Sequence, residues 1–461
     1  MKPISLQFNH SNGESLYIQL YNYLKNEITT GAMASGEKLP SLRKLSKDLG
    51  ISITTTELAY SQLLVEGYVI SKPQSGYYVA QVGGAVPLME TATKDEMEFA
   101  KYTFEESAYK YDLSCFDFGK WKKCNAKVLS DYSHMLLFES DPQGEAALRF
   151  EISKYVYKSR GVMATPDQIV IGAGTQQLTS HLCRIMRKMN IGHVATEDPG
   201  YVPVQNIFRD HGFSITKVPV EADGIKIDKL PTNIPSAVYV APSNQFPTGS
   251  IMPVGKRYRL LEWAKENNSF ILEDDYDSEL RYFGKPVPAL QGLDQNSRVV
   301  YLGSFSSTLF PAVKISYMVL PKEMTEIFQS IKSDYTQTCS KTEQLTLALF
   351  MEEGFYYTNI RKLRNLYAQK LQVALNALEK YGGNTALPAN KVNSGINIIL
   401  KVRTKKEPSV LCEEAKAIGL NVLPVASLTE QDTAALIFYY NQIPLDEIDG
   451  LVEAMIARWA A

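Results

Sequence analysis

The chain has 461 residues, 45% of them hydrophobic and 21% charged, with a formal net charge of −2. That length exceeds one ordinary hydrophobic core and implies two or three domains, and the near-zero charge excludes a chain that coats nucleic acid by charge alone. No apolar run reaches membrane-spanning length and the first residues lack a signal-peptide core, so the expectation is a cytoplasmic protein with no membrane partner. The five cysteines are dispersed, odd in number and never in C-x-x-C spacing, which supports neither a disulfide framework nor a metal site.

Leu16, Ile18, Leu20, Leu24 and Ile28 recur at helical spacing and Thr29-Thr-Gly31 stops the run, predicting a first helix. A second follows Pro40, with Ser41 as N-cap, Leu42, Leu45 and Leu49 on one face and Gly50 just past its end. A third is predicted over Ile53–Glu66 after a short turn, which makes a helix-turn-helix. Two β-rich stretches within Tyr68–Val79, separated by Lys72-Pro-Gln-Ser-Gly76, predict a hairpin, and helix-turn-helix plus hairpin is a winged helix. Leu39-Pro-Ser-Leu-Arg-Lys-Leu45, Ala59-Tyr-Ser-Gln-Leu, Glu66-Gly-Tyr and Ser75-Gly-Tyr-Tyr-Val79 resemble the GntR-type winged helix, across nearly all of residues 13–80. The resemblance implies double-stranded operator DNA as a partner. It places Arg43 on DNA at the start of the second helix, Ser52, Thr54 and Thr55 at the recognition-helix N-terminus, and Lys72, Ser75 and Gly76 in the wing. For Ser52, Thr54 and Thr55 the competing role is helix capping. Ile53 departs from the family pattern, which has arginine after the serine. Seven basic residues stand against six acidic ones in this region, so attraction to DNA should be modest.

The expected domains are a winged helix over 1–80, an interdomain tether over 81–110 with a short helix around Lys94–Phe104, and a larger domain over 111–461. In the last, apolar runs such as Gln168–Gly172, Ala237–Ala241, Phe270–Glu273 and Arg298–Leu302 alternate with helices, the pattern of an α/β domain on a mainly parallel sheet. Ligands on such sheets gather at the carboxyl ends of the strands. Asp141-Pro-Gln-Gly-Glu-Ala-Ala-Leu-Arg149, Ser159-Arg-Gly-Val162, Pro242-Ser-Asn-Gln-Phe-Pro-Thr-Gly249 and Glu273-Asp-Asp-Tyr-Asp-Ser-Glu-Leu-Arg-Tyr282 resemble the aminotransferase domain of MocR (GabR-like) regulators, a fold-type I domain with a smaller C-terminal α+β lobe.

That resemblance implies a site for pyridoxal 5'-phosphate (PLP). Gly174, Thr175 and Gln176, where a strand opens into a helix, would hold the phosphate on backbone amides. Tyr201 and Asn244 or Gln245 would lie near the ring, Asp274 would pair with the pyridine nitrogen and Tyr276 with the phenolic oxygen, with Ser304, Ser306 and Lys314 completing the set. Tyr301-Leu-Gly-Ser-Phe-Ser-Ser-Thr-Leu309 resembles the cofactor-lysine segment, but Ser307 stands where the family has its Schiff-base lysine, and a hydroxyl cannot form an imine. Lys314 stands where the family has a phosphate-binding arginine, and Leu436-Ile-Phe-Tyr-Tyr440 where an arginine would bind substrate carboxylate. The leading expectation is therefore a homodimeric, ligand-responsive regulator whose aminotransferase-like domain has no catalytic residue. It binds PLP or its amine form PMP non-covalently, or another small-molecule effector with no PLP at all. The alternatives are a PLP-dependent regulator whose lysine has been exchanged for serine by design, and a working aminotransferase.

Overall fold

The computed structural model describes residues 4, 6–9, 13–81, 112–282, 287–389 and 394–460. The expected tether, apart from Gln81, and its short helix lie outside them. The chain divides into two compact units, Met1–Glu105 and Glu106–Ala461.

In the first unit α1 (Leu16–Thr29), α2 (Leu42–Leu49) and α3 (Ile53–Val65) precede an antiparallel hairpin of β1 (Val69–Lys72) and β2 (Gly76–Val79). The caps explain the boundaries. Ser41 Oγ accepts from Lys44 N at 3.3 Å to open α2, and Gly50, at φ 67, closes it in a left-handed conformation that any β-carbon would disfavour. Ser52 Oγ accepts from Thr55 N at 3.0 Å to open α3. Leu20, Leu24, Leu45, Ala59, Tyr60, Leu63, Val69 and Val79 form the buried core, and Tyr60 hydroxyl donates to Pro40 O at 3.0 Å. Ile53, at the first turn of α3, is 48% exposed.

The second unit opens with α4 (Phe118–Asp131), α5 (Ala146–Arg160), β3 (Ile169–Gly172), α6 (Thr175–Lys188), β4 (His193–Asp198) and α7 (Val202–Asp210). It continues through β5 (Ser214–Glu221), β6 (Gly224–Ile225), β7 (Ala237–Val240), α8 (Val254–Glu266), β8 (Phe270–Asp274), β9 (Val299–Ser304) and β10 (Ser316–Val319). Helices α9 (Lys322–Ile331), α10 (Lys341–Glu352) and α11 (Phe355–Gly382) follow, then β11 (Ala386–Pro388), β12 (Asn397–Arg403), α12 (Pro408–Lys416), β13 (Val422–Pro424), β14 (Thr433–Tyr439) and α13 (Ile448–Ala460).

Strands β3 to β10 make one sheet in the order β3-β10-β9-β8-β7-β4-β5-β6, and β11 to β14 a smaller antiparallel sheet in the order β11-β12-β14-β13. The run β9-β8-β7-β4-β5 is parallel throughout, while β10 is antiparallel to both β9 and β3. Strands β3, β7 and β8 are buried along their whole length, as strands covered by helices on both faces must be, which is why they read as unbroken apolar runs rather than alternating ones. The small sheet packs its apolar face on α11, α12 and α13 through Leu371, Leu400, Leu411, Leu436 and Met455. The register of β10 sets Ser316 opposite both Ser304 and Gly172, bringing three strand ends into line. No helix among the described residues is long and apolar enough to cross a membrane, and all five cysteines are free.

Candidate functional site

The strand ends of the large sheet and the edge of the small lobe enclose a cavity of about 470 Å³. Ten of the residues singled out from the sequence line it: Gly174, Thr175, Gln176, Tyr201, Asp274, Tyr276, Ser304, Ser306, Ser307 and Lys314. Asn244 does not. Its side-chain oxygen accepts from Ser394 Oγ at 3.3 Å in an adjoining recess with Arg160, Ser243 and Asp277. Gln245, its neighbour, braces the loop instead, donating to Glu197 Oε2 at 3.2 Å and to Pro199 O at 2.8 Å.

One end of the cavity is built for an anion. β3 ends at Gly172, Gly174 at φ 91 turns the chain, and α6 starts at Thr175 with no side-chain cap, so its first amides keep their donors free for a ligand. Ser304 lies across from them, with Ser316 Oγ donating to its Oγ at 3.0 Å. Lys314 is the one basic side chain among the described lining residues, exposed, at φ 49, and without a hydrogen-bond or ion-pair partner among them. Tyr201, Phe246 and Tyr276 line the middle in edge-on contact, with ring centroids 5.9 and 6.2 Å apart along the series.

The far wall is acidic. Asp274, the last residue of β8, accepts from the Tyr239 hydroxyl on neighbouring β7, and burial pushes its carboxyl up to about 7 against the lowering effect of that bond, with the charges of Asp275 and Asp277 adding to the rise. Burial likewise pushes Glu197, at the end of β4, up to about 8, although Gln245 and the Ala241 amide donate to it, and Asp274 adds to the rise. Its Oε1 has no hydrogen-bond partner among the described residues. Asp277 is pushed up to about 6, again by burial first, with the Ser307 hydroxyl beside it pulling the other way and Asp275 adding to the rise. Neither Asp277 oxygen makes a well-formed hydrogen bond among the described residues, so that hydroxyl is a close neighbour rather than an aligned donor.

Glu197 gives a measurable consequence. Its carboxyl rises from an ordinary 4.5 in the unfolded chain to about 8 in the folded one, so the folded state holds the extra proton across that window. Stability is then fully present below pH 4.5 and is lost as pH rises toward 8. Glu197→Gln, which fixes the neutral form, should flatten the profile by roughly 2–3 kcal/mol between pH 6 and 8. Urea unfolding at the two pH values checks this, and an unchanged slope would remove Glu197 as its source.

Glu197, Tyr239, Asp277, Ser316, Asn397 and Tyr439 were not foreseen as lining residues. Asp277 lies inside the Glu273–Tyr282 motif, next to Tyr276, and Glu197 stands four residues before Tyr201. Asn397 and Tyr439 come from β12 and β14, whose ends the fold alone brings here; Tyr439 lies within the segment where the sequence offered no arginine.

In the winged helix Arg43, Ser52 and Thr54 are exposed and Thr55 half-buried. The Ser52 side chain is engaged in capping α3 and lies 2.7 Å from Thr55 Oγ1. Lys72 and Ser75 are exposed on the hairpin, with Lys72 Nζ 4.5 Å from the centre of the Tyr78 ring and Ser75 Oγ 2.6 Å from the Tyr78 hydroxyl. Gly76, at φ 108, begins β2.

Residues 16–79 match the family model for bacterial regulatory proteins of the gntR family, and residues 101–431 that for aminotransferases of class I and II. The chain is 41% identical, over 89% of each chain, to the uncharacterized HTH-type transcriptional regulator YdeL of Bacillus subtilis. It is 31% identical to the probable rhizopine catabolism regulatory protein MocR of Rhizobium meliloti, over 89% of this chain and 86% of that one. Among solved structures, a kynurenine aminotransferase of Pyrococcus horikoshii, in complex with PMP, superposes with a TM-score of 0.65 at 21% identity, over 82% of this chain and 96% of its own.

Proposed function

Because the chain belongs to the MocR-type transcriptional regulators, in which a GntR winged helix is joined to a class I and II aminotransferase domain, we propose that its second unit senses a small molecule without covalent attachment to PLP and without turnover. The observation that carries this is the Ser307 hydroxyl in the wall of the cavity, at the position where the motif resemblance puts the cofactor lysine. The rest of the cavity fits the cofactor. The free amides of α6 and the Lys314 charge suit a phosphate, a lysine serving as a point charge where an arginine would grip bidentately. Asp274 and the Tyr239 hydroxyl suit a ring nitrogen and its proton, and the edge-on aromatics suit a flat ring. When bound, the protonated pyridine supplies an electron sink. Ser307 offers no amine to attach it and no base to move a proton.

The winged helix supplies the DNA contacts: Arg43 and Lys72 to phosphates, and the first turn of α3, around Thr54, toward base edges. The chain acts as a cytoplasmic homodimer, so that two winged helices engage paired half-sites. Leu137 and Phe138, 83% and 72% exposed on the second unit, are the kind of apolar surface that a second copy would cover. Ligand binding shifts operator affinity only to the extent that it favours one arrangement of the dimer over another.

The test is calorimetry of PLP, PMP and free amino acids on the full chain, paired with binding to a DNA fragment selected from random sequence by the wild type, with and without each ligand. Loss of DNA affinity by about tenfold in Arg43→Ala, with ligand binding unchanged, is the expected pattern. Unchanged DNA affinity would count against the docking.

A further inference from the structure

Asp277 is the one carboxylate of the cavity wall with both oxygens unpartnered among the described residues, and it is only 2% exposed. A buried charge in that condition is costly unless it takes up a proton or meets a cation. Among the described residues it forms no ion pair: Lys314 lines the same cavity without pairing with it, and Arg160, in the adjoining recess, is committed to Asp275 at 2.7 Å. Its backbone is held at φ 54, in the left-handed region, which the surrounding packing has to maintain. The neighbouring Ser307 hydroxyl can accept one more hydrogen bond beside it.

We propose that Asp277 and Ser307 form a subsite for a protonated primary amine, so that the cavity selects the amine form of the cofactor, PMP, over the aldehyde and alcohol forms. The inference rests on the ring-and-phosphate reading of the cavity given above and adds which form occupies it. An ammonium brings charge and three donors, matching two unpartnered acceptor oxygens and a hydroxyl. An alcohol brings one donor and no charge. An aldehyde oxygen only accepts, and so sets a lone pair against a carboxylate. The position that would hold a lysine amine in an aminotransferase is, in this chain, left for an amine carried in by the ligand.

Calorimetry on the full chain at pH 7.5 with PMP, pyridoxine 5'-phosphate and PLP tests this, since the three differ only in the group carried on one carbon. The wild type should bind PMP at least about tenfold more tightly than pyridoxine 5'-phosphate, with PLP no tighter than the alcohol. In Asp277→Asn the amine-to-alcohol ratio should fall to within about threefold. Equal binding of the three by the wild type, or a preference that survives in Asp277→Asn, overturns the amine subsite but leaves the ring-and-phosphate reading standing. Absence of binding by all three overturns both. The wild-type comparison needs no variant to fold.

Discussion

Ser307→Lys is expected to turn a chain whose cavity takes up no pyridoxyl group after stoichiometric PLP and borohydride into one labelled close to stoichiometrically at position 307, with a new visible absorption band. The effect is large because it is chemical rather than incremental: without a primary amine at that place no imine forms at any concentration, and with one the rest of the wall is already present. Asp274 stands ready for the ring nitrogen, the α6 amides for the phosphate, and Asp277 beside the new ammonium. Mass spectrometry of the reduced, digested protein reads the site. A label on Lys314 in the wild type would overturn the non-covalent reading, and a folded Ser307→Lys that takes no label would mean that the cavity is shaped for a different ligand.

Asp275→Ala is expected to destabilise the second unit by about 3–5 kcal/mol, the usual cost of stranding one member of a buried ion pair. The Arg160 guanidinium grips Asp275 through two nitrogens, Nε to Oδ2 at 2.7 Å and the second at 2.9 Å to Oδ1, with side-chain exposures of 2% and 0%. The Tyr301 hydroxyl at 2.5 Å and Ser278 Oγ at 3.0 Å fill the remaining valences of the carboxylate. Arg160 also reaches Ser243 Oγ at 2.6 Å and the Val287 carbonyl, so one guanidinium joins the end of α5 to the loops after β7 and β8. Removing the acid leaves that charge buried without an anion, whereas Arg160→Met with Asp275→Leu strands no charge and should cost less than Asp275→Ala alone. Urea unfolding of the three proteins decides it, and a loss below about 1 kcal/mol in Asp275→Ala would show that the pair is solvated in solution. Because Asp275 follows Asp274 directly, a weakened ligand affinity should accompany the loss.

What could be read from the chain and what could not divide along a physical line. Ser41, Gly50 and Ser52 act within a few residues of themselves, through caps and turns, and they announce α2 and α3 in advance. The buried strands β3, β7 and β8 are equally visible as apolar runs, with Gly174 in the motif just past β3 and Asp274 and Tyr276 in the one that ends β8. Pairing between distant segments is another matter. Nothing near Ser316 says that β10 inserts antiparallel between β3 and β9, yet that register brings Ser304, Ser316 and the start of α6 together. Tyr239 reaches Asp274 from the neighbouring strand, and Tyr439 and Asn397 arrive from a separate sheet. Within the loop after β7, Asn244 faces Ser394 in the next recess while Gln245 props up Glu197, a division that no local pattern announces.

At the first turn of α3 an exposed isoleucine stands where the resemblance to the GntR pattern leads one to expect an arginine. An aliphatic group displaces no condensed counterion from a phosphate, so each half-site gives back less ion-release entropy than an arginine there would provide. Operator affinity should therefore fall less steeply with rising salt than it would with an arginine there. Discrimination at that turn would fall to van der Waals fit, for which the 5-methyl of thymine is the natural counterpart.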